Sequence, residues 1–119
     1  MWISKRRDPG HSPSAMVGRA TIPGDPAGVY LDGERRSLPV FGPGGYHWRP
    51  ALGQEVLVLK GEGESSYVAG ARCGVSLEPG EVCIRAGEAG AQIRLLPDGT
   101  LELRGRVLVN GVPLAEGQP

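Results

Sequence analysis

The side chains that could do chemistry are few and scattered. His47 is one of two histidines, and with Asp25 or Asp32 it could in principle serve acid–base work. No Gly-x-Ser-x-Gly nucleophile motif accompanies it, and no His-rich or Cys-rich spacing suggests a metal. A lone His beside Trp48 in a Gly/Pro-rich loop reads as a surface or packing residue. Glu55, Glu62 and Glu64 cluster in sequence and read as a solvated turn. Cys73 and Cys83 are too few for a disulfide framework or a zinc site; they are expected to be free thiols, made in a reducing compartment. Tyr30, Tyr46, Trp48 and Tyr67 could form a stacking platform for single-stranded nucleic acid, with Arg19, Arg35, Arg36, Arg49 and Lys60 beside it. Against that stands the charge balance: 13 Lys+Arg and 13 Asp+Glu give a net charge of zero. A general nucleic-acid binder needs a basic surface that releases counterions. No catalytic constellation emerges, and neither enzyme activity, a cofactor nor a nucleic-acid partner is expected.

The elements that would position these residues read as short strands. The chain has 119 residues, enough for one average domain or two small ones. Aromatic content is only 5%, so the core must be aliphatic. Gly and Pro are abundant but fall between alternating Val, Ile and Leu runs, the pattern of an all-β chain. Residues 1–14 read as a flexible tail, broken by Asp8-Pro9-Gly10 and Ser12-Pro13-Ser14. The basic start is followed by no apolar stretch, so no signal peptide is expected. No run approaches the roughly 18 apolar residues of a membrane span.

Residues 15–74 predict about five strands: 15–22, 28–31, 37–40, 55–60 and 66–71. Asp32-Gly33 predicts a tight hairpin between the second and third. With no room for a long helix, a small closed barrel is the economical arrangement, because closure removes exposed edges. The aromatics are expected to fill its core or pack against the C-terminal stem.

Residues 75–114 differ. Val82 and Ile84, Ile93 and Leu95, Leu101 and Leu103, and Val107 and Val109 each alternate with mainly polar neighbours. Leu96 and Leu108 break the pattern and are expected at turns or interfaces. Turns are expected at Pro79-Gly80, Gly87 to Gly90, Pro97-Asp98-Gly99, Gly105 and Asn110-Gly111. A unit of about 40 residues seldom holds alone without disulfides, metals or association. It must dock on the barrel or associate with copies of itself, and the regular strand–turn repeat favours association. Residues 115–119 read as a C-terminal tail.

The two halves together resemble a family. The segment from Trp48 to Leu59, with Pro50, Gly53, Val56 and Val58, is similar to the Pro-x-x-Gly-x-x-Val-x-Val segment in the barrel of phage baseplate spike proteins. These include the baseplate assembly protein V type, the Mu-type spike and the related valine-glycine-repeat spike of type VI secretion. Tyr67-Val68-Ala69-Gly70 stands where their closing strand runs to a Gly. The run from Ile93 through Asp98-Gly99 to Asn110-Gly111 is similar to the strand repeats of their trimeric stem. The resemblance implies an oligonucleotide/oligosaccharide-type (OB) barrel followed by a short triple-stranded β-helix, built as an intertwined homotrimer. It implies a structural role in the baseplate of a contractile tail or a prophage-derived injection device. There the trimer plugs the tube, contacts tube and hub proteins, and transiently meets the target envelope. The chain would be made in the bacterial cytoplasm and end in the virion tail.

Many relatives end in a His-x-His apex that holds iron on the trimer axis. Here the histidines are His11 and His47, both upstream of the stem, so no metal tip is carried over. A separate tip protein capping the blunt end is the corresponding expectation. The alternative to the spike is a monomeric barrel that binds single-stranded nucleic acid or glycan.

Overall fold

The computed structural model describes residues 14–63 and 65–114. Of the tail expected at 1–14 all but Ser14, whose carbonyl accepts the Lys60 N–H at 3.0 Å, lies outside the described residues, as do the tail at 115–119, His11 and Glu64. The chain divides between Cys73 and Gly74 into two compact units. Among the described residues all regular structure is strand.

The first unit holds β1 (Ala15–Ile22), β2 (Ala27–Tyr30), β3 (Glu34–Leu38), β4 (Glu55–Lys60) and β5 (Ser66–Ala71). They form one antiparallel sheet in the order β3-β2-β1-β4-β5, curled into a half-barrel. The alternation of side chains sets the concave face. Val56 and Val58 on β4, Ala27 and Val29 on β2, Leu38 on β3 and Val68 on β5 are buried in one cluster. Ala20 and Pro50 are buried as well. This core is aliphatic, as the composition requires. Leu31, Val40, Trp48 and Ala71 pack on its margin.

The curl has a local cause at Gly18. A Cβ there would stand 2.5 Å from the Tyr30 carbonyl oxygen and 2.7 Å from a Val29 methyl. Only glycine lets β2 cross β1 so closely. Beyond β3 the chain turns back onto the opposite edge. Val40 bridges Val68 in parallel, the Val68 N–H donates to the Pro39 carbonyl at 2.9 Å, and the Phe41 N–H donates to the Val68 carbonyl at 2.9 Å. The Val40 N–H also donates to Asp25 Oδ1 at 3.2 Å.

Two sequence expectations need correction here. The β2–β3 hairpin does turn at Asp32-Gly33, but its second strand begins at Glu34, with Tyr30 opposite Glu34 and Ala27 opposite Leu38. Glu34, Arg35 and Arg36 form an exposed polar edge, and Ser37 at φ 61° interrupts the register before Leu38 turns inward. Alternating apolar residues, the signal used to find strands, are absent from such a segment. The aromatics do not fill the core either: Tyr30 and Tyr46 are exposed, and Trp48 and Tyr67 only half-buried.

The second unit holds β6 (Val82–Arg85), β7 (Gln92–Leu95) and β8 (Leu101–Arg104) as an antiparallel meander. A separate hairpin joins β9 (Leu108–Val109) to β10 (Val112–Pro113). Asn110 and Gly111 both have positive φ, 52° and 79°, which a two-residue hairpin turn of this hand demands. The strand expected through Val107 is thus shorter and followed by a partner that was not anticipated. Val107 lies just outside it, and its carbonyl accepts from the Leu114 N–H at 2.8 Å.

Candidate self-association surface

The meander sorts its side chains by the two-residue period of a strand. The register puts Val82 opposite Leu95 and Leu95 opposite Leu101, one apolar row across three strands. Ile84, Ile93 and Leu103 form the second row. All six carry 40–59% of their surface exposed. Adjacent rows of β-branched and leucine side chains on one sheet face make a continuous apolar patch.

The opposite face is polar and better covered. Arg94 stands between Cys83 and Glu102 in the register, and Gln92 between Arg85 and Arg104. Cys83, Gln92, Arg94 and Glu102 are half-buried. Arg94 donates to Glu81 Oε1 at 3.1 Å, and that oxygen also accepts the Glu78 N–H at 3.0 Å. The Glu81 side chain is only 8% exposed. Cys83 Sγ lies 3.9 Å from Gln92 Oε1, and both cysteines are free thiols. Within this unit the centre of the charged face is half-buried, while Arg85, Arg104 and the whole aliphatic face are exposed.

Of the expected stem residues, the structure brings Val82, Ile84, Ile93, Leu95, Leu101 and Leu103 together. Val107 is half-buried and Val109 is exposed in the separate hairpin, opposite Val112. Leu108, which breaks the alternation in the sequence, is exposed on β9 beside the turn, and Val112 and Leu114 are further exposed apolar residues after it. The Asn110-Gly111 turn was the signal for them, since a hairpin turn implies a returning strand.

The barrel motif has a turn geometry of its own. Pro50 is buried, its carbonyl accepting from Gly24 N–H at 3.2 Å. The Gln54 N–H donates to the Ala51 carbonyl at 3.0 Å, closing a turn in which Gly53 takes φ 82°. Type II turns put glycine at that place for this reason. Gly53 and Gln54 then pair with Ala20 through bonds of 2.8 and 2.9 Å, which delivers Val56 and Val58 to the core. These four residues build the first unit and offer no reactive group.

The remaining candidates are engaged or isolated. Asp25 accepts from Val40, and Asp32 pairs with Arg35 at 3.0 Å. His47 is exposed. Glu55 pairs with Arg72 at 3.7 Å, and Glu62 is exposed. Compared with known proteins, the chain matches no family model and no curated protein.

Proposed function

We propose that this chain is a structural spike: an OB-type barrel whose C-terminal sheet closes a shared core with copies of itself in the baseplate of a contractile injection device. The observation that carries the proposal is the open aliphatic face of the meander. Six aliphatic residues in two aligned rows are left in water while the centre of the polar face, at Cys83, Gln92, Arg94 and Glu102, is half-buried. A soluble sheet does the reverse unless another surface completes it. A copy of the same chain presents the same rows, so a closed symmetric assembly satisfies every copy at once. The three-fold number rests on the resemblance to spike proteins.

For the barrel, the supporting features are the strand order β3-β2-β1-β4-β5 and the parallel bridge from Val40 to Val68. The mechanical logic follows. A stem whose apolar rows face neighbouring chains is stiff, because no chain can unfold its part without exposing the others. The barrels give the wider platform on which tube and hub proteins would dock, and a tip protein would cap the other end. The test is antibody labelling of tail-like particles from the producing cells under the electron microscope. Label confined to the membrane-proximal end of the tube is the expected result. Particles that carry none of this chain would overturn the proposal.

A further inference from the structure

We propose that copies of this chain join edge to edge: β8 of each pairs in parallel with β6 of the next, closing the meanders into one β-barrel. The inference rests on the self-association proposed above and names the surfaces that meet.

Its basis is the two bare edges of the meander. The Ala86 N–H donates to the Ala91 carbonyl at 3.1 Å, and the Leu96 N–H to the Thr100 carbonyl at 2.9 Å. From these pairs the antiparallel ladder alternates between bonded and unbonded partners. Val82 and Ile84 therefore turn their backbone groups toward β7, and Cys83 and Arg85 turn theirs away. On β8, Glu102 and Arg104 bond toward β7, while Leu101 and Leu103 point their N–H and C=O outward. Among the described residues no strand pairs with either edge. Neither edge carries the proline or bulge with which proteins blunt such strands.

The two edges fit each other. Set Leu101 beside Ile84 of the next copy. Its N–H then donates to the Cys83 carbonyl of that copy, and its carbonyl accepts the Arg85 N–H. The Leu103 N–H donates to the Arg85 carbonyl. Residues side by side share a face, so the aliphatic rows continue around the inside. Charge selects this register. It places Glu102 beside Arg85, which is exposed and has no ion pair among the described residues. The unshifted register, with Leu103 beside Ile84, would instead place Arg104 beside Arg85. Closure requires a shift too, because the strands of a barrel tilt and their register climbs around the ring.

The copy number follows from the width. About eight strands enclose an interior that side chains just fill. Three copies bring nine strands, with six aliphatic side chains from each copy to fill the centre. Two copies would bring six strands, too narrow for that filling, and four would bring twelve and a hollow centre. A head-to-tail contact of this kind closes into a ring and leaves no edge open. The strand count thus reaches three without the family resemblance.

The experiment combines the solution mass of the full chain with amide hydrogen exchange, read residue by residue by NMR. The Arg85, Leu101 and Leu103 amides are expected to exchange as slowly as that of Ile84, which bonds within the chain. Arg85→Glu sets like charges at every junction. It is expected to weaken the assembly on dilution about 3- to 100-fold, the effect of one surface pair at each of three junctions. Adding Glu102→Arg restores the pair and should recover the assembly. No contact within one chain explains such a recovery, because the register holds Arg85 and Glu102 two strands apart. An assembly whose three edge amides exchange freely, or which the double reversal fails to recover, overturns the edge pairing and leaves the shared core standing. An assembly of another copy number overturns the nine-stranded barrel. A single-chain mass overturns this inference and the self-association together.

Discussion

The two units use the same strand grammar and reach opposite ends. In the first, alternate residues of five strands turn toward one another, and Val29, Val56, Val58 and Val68 lose essentially all contact with water. In the second, an equally regular alternation yields a sheet in which no described residue is buried. The difference is curvature. Gly18 allows β2 to press onto β1, and the segment after β3 returns to β5, so the first sheet wraps its own apolar face. The meander has three strands of four residues, too few to wrap anything. Alternation thus specifies which face is apolar; strand number and curl decide whether the chain itself can cover it.

The sharpest way to break this comparison is a charge on the open face. Leu103→Asp places a carboxylate in each copy where the account puts a shared apolar core, a burial that costs several kcal/mol or more without a partner. Complete loss of the assembly is expected by size exclusion, with the β-sheet circular dichroism of the first unit retained. An unchanged assembly would show that Leu103 faces solvent. A smaller effect, of a different kind, is expected in the first unit. Leu38→Ala removes a side chain that is 2% exposed. It should cost about 2–5 kcal/mol in denaturant unfolding of that unit, whereas a Leu103 truncation should weaken stability in a concentration-dependent way.

The smallest effect concerns a turn of the meander. Asp98 accepts the Thr100 N–H at 2.9 Å. The Thr100 hydroxyl first, and its backbone N–H second, favour the carboxylate and hold Asp98 below its usual range. Its folded pKa is thus lower than its unfolded one. The bond contributes fully above the unfolded value and is lost as pH falls through the folded one. Asp98→Asn should therefore flatten a shallow loss of stability below about pH 4, read from thermal melts across that range.

Much of the fold was legible in the sequence where short-range rules act. Ala15–Ile22, Glu55–Lys60 and Ser66–Ala71 announce themselves by apolar alternation between turn residues, and Asp32-Gly33 marks its hairpin. Glu34 to Arg36 carries no such signal, because an edge strand that faces water on both sides needs no apolar residue. The Val40–Val68 bridge joins residues far apart in sequence, so nothing local announces it. The six-residue patch was legible as alternation, but its openness was not, since exposure depends on what the rest of the chain can reach.

The most direct measurement is the solution mass of the intact chain by light scattering after size exclusion. The account predicts about three times the 12.5 kDa of one chain, independent of dilution over the working range. A single-chain mass with a folded β spectrum would contradict it, for the aliphatic face of the meander would then stand uncovered in a stable protein.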